Sequence, residues 1–114
     1  ITEVLNYPNP FSTNTRFVFT ITGTEVPDEM KIQIMTVGGR VVREILGYEL
    51  GSLHVGRNLT EYRWNGTDEY GDRLANGVYL YRVVARLNGE DLEMRSTEVS
   101  EFFNRGFGKM VLMR

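Results

Sequence analysis

Apolar residues recur at every second position along most of this chain, and glycine, asparagine or proline interrupts them about every ten residues. Helical spacing is almost absent. A chain with this rhythm lays one face of each short segment on a core and the other in water, which requires strands. The first predicted strand, Glu3 to Asn6, runs into Tyr7-Pro8-Asn9-Pro10-Phe11, where the prolines remove ladder donors and hold the backbone extended. Phe11 is expected to plug one end of the core. Phe17, Phe19 and Ile21 then share a face opposite Arg16, Thr20 and Thr22, and Met30, Ile32 and Ile34 share one opposite Lys31 and Gln33. Gly38-Gly39 predicts a two-glycine hairpin turn leading into a strand from Arg40 to Ile45.

A glycine-rich stretch from Gly47 to Asn58 is read as a crossing to a further strand, in which Tyr62 and Trp64 point one way and Glu61 and Arg63 the other. Val78 to Leu87 is the longest predicted strand, with Tyr79, Tyr81, Val83 and Ala85 inward. Asn88-Gly89 signals a type I′ hairpin returning over Asp91 to Thr97. Residues 98 to 106 read as irregular, and Phe107 to Arg114 as a closing strand. About seven to eight short antiparallel strands at this spacing predict an all-β, immunoglobulin-like antiparallel β-sandwich in one domain over residues 1–114.

Composition excludes several functions. A formal net charge of -2 provides no basic field for phosphates, so nucleic acid is not an expected partner. The absence of cysteine removes a disulfide framework, a thiolate nucleophile and a cysteine-ligated zinc. No apolar run reaches the ~18 residues of a membrane span. The sequence begins at Ile1 rather than Met and is read as a segment of a longer polypeptide.

Chemistry-bearing residues are few. Asp68, Glu69 and Asp72, with Asn65, offer oxygen ligands for calcium, but they lack the alternating ligand spacing of an EF-hand loop. The same Asp68-Glu69-Tyr70-Gly71 run reads as a β-turn, the preferred reading. His54, the only histidine, lies near Ser52, with neither a nucleophile elbow nor an orienting carboxylate. Tyr62, Trp64, Tyr79 and Tyr81 have the spacing of core residues, and also of a stacking platform for sugars. Asn58-Leu59-Thr60 and Asn65-Gly66-Thr67 match the glycosylation sequon, though Asn65-Gly66 is explained by turn chemistry. The end, Lys109-Met110-Val111-Leu112-Met113-Arg114, reads as a strand that completes the sandwich and as an edge that another protein pairs with or grips, and both readings can hold together.

Taken in order, Asn6-Tyr7-Pro8-Asn9-Pro10-Phe11, Gly39-Arg40-Val41-Val42, Trp64-Asn65-Gly66-Thr67-Asp68, Gly71, Gly77-Val78-Tyr79-Leu80-Tyr81 and Lys109 to Arg114 form one series. It resembles the C-terminal sorting domain carried by cargo of the type IX secretion system of Bacteroidota, and the related immunoglobulin-like domain of the flagellar hook-capping protein. By position, Gly39 and Arg40 match the family's hairpin, Trp64 its buried tryptophan, Gly77 and Tyr79 its G-x-Y strand, and Lys109 with Arg114 its basic end. Thr36 and Asn65 stand where that family commonly has aspartate, and residues 87 to 106 make a longer link than usual.

The resemblance implies a non-catalytic signal, without metal or cofactor, whose closing residues Lys109, Met110, Val111, Leu112, Met113 and Arg114 are read by translocon and sortase components. Pro8, Pro10, Phe11, Gly39, Arg40, Trp64, Gly66, Asp68, Gly71, Gly77 and Tyr79 would be its structural motif. The parent would pass through the periplasm to the outer-membrane surface or the exterior, with its N-terminal domains as further contacts. The alternatives are an adhesive or carbohydrate-binding module using Tyr48, Tyr70 or Phe103, a spacer that steadies its neighbour, and, given the long link, a structural domain retained on a sortase.

Overall fold

A computed structural model describes residues 2–92 and 107–114, and it is an antiparallel β-sandwich. The strands are β1 (Thr2–Tyr7), β2 (Arg16–Ile21), β3 (Glu29–Thr36), β4 (Val41–Leu46), β5 (Gly56–Leu59), β6 (Gly77–Leu87), β7 (Glu90–Leu92) and β8 (Gly108–Leu112), with one helical turn, α1 (Gly47–Leu50). One sheet has the order β1-β2-β5. The other runs β4-β3-β6, and β7 and β8 share the far edge of β6. β7 takes Ala85 to Leu87 of that edge, and β8 takes Gly77 to Tyr81. The connection after β4 crosses to the smaller sheet and the one after β5 crosses back, as in Greek-key sandwiches.

The alternating residues meet between the layers. Phe17, Phe19 and Ile21 come from one sheet and Ile32, Ile34, Ile45, Tyr81 and Val83 from the other, all buried in one cluster. Phe17 and Tyr81 pack edge to face across the gap, with ring centroids 5.2 Å apart. The outer face of the smaller sheet is also partly apolar, because Leu5, Val18 and Leu59 lie in direct cross-strand register there. The predicted hairpin at Asn88-Gly89 is present, both residues having positive φ (54° and 80°) as a type I′ turn demands.

Three expectations need correction or delimiting. Only Gly39 (φ 96°) of the Gly38-Gly39 pair takes the left-handed conformation. The turn is closed instead by Gly39 N–H donating to the Thr36 carbonyl (2.9 Å) and Arg40 N–H to the Thr36 hydroxyl (3.1 Å). The strand expected around Tyr62 and Trp64 lies earlier, at β5, and the supposed crossing holds both α1 and β5. Thr60 diverts the chain there: its hydroxyl accepts from Phe17 N–H (3.1 Å) and donates to the Tyr62 carbonyl (3.0 Å). The expected inward and outward alternation of residues 61–64 survives in an extended loop, which also follows period two. Of the predicted return strand only Glu90–Leu92 is described; its continuation to Thr97, the irregular stretch 98 to 106 and Phe103 lie outside the described residues.

Gly108 is required by packing rather than by φ. A Cβ there would overlap the hydroxyl-bearing end of the Tyr81 ring, approaching both Cε atoms to 2.7 Å, and that ring is buried. Gly108→Ala is expected to lower stability by about 2 kcal/mol through overpacking. Gly38→Ala, which meets only the Thr36 hydroxyl at 3.8 Å, should be nearly neutral. Urea unfolding checks both: the midpoint should fall for the first alone, with the slope unchanged.

Candidate recognition end of the sandwich

The motif residues scattered along the sequence meet at one end of the sandwich, around Trp64. Its indole is fully buried, with Nε1 donating to the Thr67 carbonyl at 2.9 Å. The Phe11 ring packs on it at 5.6 Å and Tyr79 at 6.1 Å in an edge-to-face arrangement. A reciprocal backbone pair, each bond 2.9 Å, ties Trp64 to Thr15. Tyr79 follows Gly77 (φ 149°) at the start of β6, and Thr36, at the head of the Gly39-Arg40 turn, pairs with Tyr79 across the sheet.

The proline loop leaves β1 and turns onto β8. The Thr15 hydroxyl donates to the Pro8 carbonyl (2.9 Å) and accepts from Asn6 Nδ2 (3.0 Å), which buttresses the loop from inside. Pro8, Asn9 and Pro10 are exposed, whereas Phe11 is buried. Asn9 then acts as a short surrogate strand: its Nδ2 donates to the Lys109 carbonyl (3.1 Å) and its Oδ1 accepts from Val111 N–H (3.0 Å). Phe11 continues the pairing, with its N–H donating to the Val111 carbonyl (3.0 Å) and its carbonyl accepting from Met113 N–H (2.9 Å). The outer edge of β8, read from sequence both as completing the sandwich and as an edge another protein could pair with, is occupied by the chain's own loop.

Within the closing motif, Met110 and Leu112 are fully buried and Val111 is half-buried, while Lys109 and Met113 are exposed. Arg114 lies on the surface with its donors directed at the chain itself. Its Nη1 donates to the Leu74 carbonyl (2.7 Å) and its Nη2 to the carbonyls of Asn65 and Gly66 (2.9 Å each). The Asn76 side chain clasps the Arg114 backbone on both sides, accepting from its N–H and donating to its carbonyl. Gly66 (φ 77°) leaves the space this guanidinium uses, since a Cβ would sit 2.6 Å from Nη2.

The acidic run is a closed turn. Asp68 Oδ1 accepts from the backbone of Tyr70 (2.9 Å) and Asp72 (3.0 Å), and Gly71 (φ 84°) returns its N–H to the Asp68 carbonyl. Glu69 caps the outer edge of β4, its N–H donating to the Val42 carbonyl (3.0 Å) and its Oε1 accepting from Glu44 N–H (2.6 Å). Arg43 bonds Glu49 at 2.7 Å and Glu69 at 3.1 Å and stacks on Tyr62. Burial opposes its charge, but the Tyr62 hydroxyl and the two carboxylates outweigh this and hold the guanidinium above its usual pKa.

The other candidates are separate. His54 and Ser52 are exposed, and the buried Asn58 side chain bonds the backbone of His54 and Gly56, so that sequon serves as internal scaffolding. Trp64, Tyr79 and Tyr81 are core residues and Tyr62 packs against the core. Among the described residues no three His, Asp or Glu side chains gather in a way that could hold a metal ion, and no helix is long and apolar enough to cross a membrane.

A family model described as the FlgD Ig-like domain matches residues 7–89. The chain belongs to the FlgD Ig-like domain family. The span of the match runs from the proline loop to the type I′ turn and so covers the Trp64 end apart from β8. No curated protein matches the sequence. Among solved structures, that of dimeric latent PorU from Porphyromonas gingivalis is similar, with a TM-score of 0.67 and 21% identity. The similarity covers 96% of this chain and 9% of that chain, and at this identity it is a likeness of fold.

Two measurements probe this end and the adjoining sheet. Arg114→Ala should lower stability by about 1–2 kcal/mol, since charge-assisted bonds to the Trp64 loop are lost, whereas exposed Met113→Ala should stay within about 0.5 kcal/mol of the parent in urea unfolding. Glu44 on β4 accepts from Gln33 (2.8 Å) and pairs with Lys31 (2.9 Å), and these bonds hold its carboxyl below the usual range. A depressed folded pKa gives stability that is present above the unfolded value and lost as pH falls through the folded one. Glu44→Gln should therefore reduce the acid-side decline of the urea midpoint.

Proposed function

We propose that this domain is a non-catalytic sorting module, through which type IX secretion machinery recognises a larger parent protein and passes it across the outer membrane. The observation that carries this reading is the convergence of the motif series: Phe11, Trp64, Tyr79 and the segment from β8 to Arg114 form one packed end although they lie far apart in sequence. Membership of the FlgD Ig-like family supports the scaffold, and the exposed Lys109 and Met113 supply side chains for a partner to read. The carboxylates of the acidic run are engaged in turn and edge contacts, and His54 stands apart from any second catalytic group, which favours recognition over chemistry.

On this reading the partners are translocon and sortase components together with the N-terminal domains of the parent, and neither metal nor cofactor takes part. The parent travels through the periplasm to the cell surface or beyond. The long link between Leu87 and Phe107 favours a module that stays on its parent after transit. The test is deletion of the domain from the full-length parent in a bacterium that carries this machinery. Most of the parent should then accumulate in the periplasm, as measured by fractionation and by protease accessibility at the surface; undiminished arrival at the surface would refute the assignment.

A further inference from the structure

We propose that a hollow beside the Trp64 loop binds a phosphate monoester of a small polyol, with the Arg73 guanidinium on the phosphate and neighbouring hydroxyl and amide side chains on the carrier. This goes beyond the sorting reading and does not depend on it, since a domain with no part in export would hold the same ligand.

The hollow has a volume of about 380 Å³ and is lined by Ser12, Thr13, Asn65, Thr67, Arg73 and Arg114. Stretches of chain far apart in sequence build it. Ser12 and Thr13 follow the buried Phe11, Asn65 and Thr67 follow the buried Trp64, and Arg73 stands opposite Thr67 across an antiparallel bridge. Arg114 reaches the same place through its bonds to the Asn65 and Gly66 carbonyls. The packing of Phe11 on Trp64 and the reciprocal backbone bonds of Trp64 with Thr15 fix these segments against one another, so the lining is organised before any ligand arrives.

Its chemistry is that of donors without a counter-charge. No acidic residue lines the hollow, and the nearby Asp68 turns Oδ1 to the backbone N–H groups of Tyr70 and Asp72. Among the described residues neither Arg73 nor Arg114 forms an ion pair with a carboxylate. Arg73 is exposed and keeps its whole guanidinium for a ligand. Arg114 gives three N–H donors to carbonyls, which engage those donors but leave its positive charge uncancelled. Two cations on one hollow favour an anion there, and the attraction is local because the chain as a whole carries -2. A phosphate accepts from several directions and suits donors on separate walls, whereas a planar carboxylate is met by a single fork. The Thr67 hydroxyl donates to Asn65 Oδ1 (2.7 Å), which leaves Asn65 Nδ2 as a donor beside the Ser12 and Thr13 hydroxyls. These groups match the hydroxyls of a polyol, and the volume is that of a small-molecule site rather than of a bare ion.

The experiment titrates the whole chain with glycerol 3-phosphate and follows backbone amide shifts by NMR. The shifts should saturate with a dissociation constant of about 1 mM, centre on the lining residues, and weaken as sodium chloride is added. Inorganic phosphate should bind about five-fold more weakly, and glycerol should produce no saturable shift. Arg73→Ala should weaken binding about ten-fold, the effect of losing one charge-assisted bond, and leave the urea midpoint in place because its side chain has no partner to lose. Arg57→Ala removes the same charge from an exposed position on β5 and should bind as the parent does. Absence of saturation at about ten times the expected constant, or parental affinity of Arg73→Ala, overturns the site. An equal loss in Arg57→Ala shows general charge attraction and overturns it too. Equal affinity for inorganic phosphate and glycerol 3-phosphate overturns the monoester in favour of the free ion. No arm of this experiment reads export, so its failure leaves the sorting reading standing, and failure of that reading leaves this site untouched.

Discussion

The packing of Phe11 and Tyr79 against the indole of Trp64 is the contact on which this architecture turns. Phe11 arrives from the proline loop, Tyr79 from the longest strand and Trp64 from the loop after β5, so the three rings fix the relative positions of segments that share no ladder. Burial of such rings is worth several kcal/mol each, enough to set the geometry of everything that hangs from them. Phe11 can run along β8 because its ring is anchored, and the Asn65 and Gly66 carbonyls can receive Arg114 because the indole holds their loop.

On the larger sheet the outer edges of β4 and β8 are covered by the same device. On β4 the cover is Glu69, using its own N–H and a carboxylate oxygen; on β8 it is Asn9, using both ends of a carboxamide, followed by Phe11. A side chain that imitates a peptide unit satisfies the exposed backbone without extending the sheet, which protects an edge from unwanted pairing.

The strands were legible in the sequence wherever one face is buried, as in Phe17-Phe19-Ile21 or Tyr79-Tyr81-Val83, since a period of two under those conditions allows one structure. Around Tyr62 and Trp64 the same period marked an extended loop, for which burial alternates just as in a strand, and the hydroxyl of Thr60 that ends the ladder has no signature in a pattern of apolar residues. The motif residues at the Trp64 end could be recognised individually. Their assembly could not, because Asn9 meeting Lys109 and Arg114 meeting Gly66 depend on chain crossings set by the whole sandwich. The positive φ of Gly66 beside a seated guanidinium is the sort of pairing that only coordinates expose.

β6 is flanked along one side by two short neighbours in place of one long one, β7 at its C-terminal third and β8 at its N-terminal half. Mechanically that divides the border into independent zippers. Tension on the final residues would be met first by the clasp of Asn76 and the Arg114 seat, then by successive rungs from Leu112 back toward Gly108, while the hairpin of β6 and β7 stays closed. The segment is thus held in graded fashion, the Asn76 clasp and the Arg114 seat outermost and the buried Met110 and Leu112 beneath them.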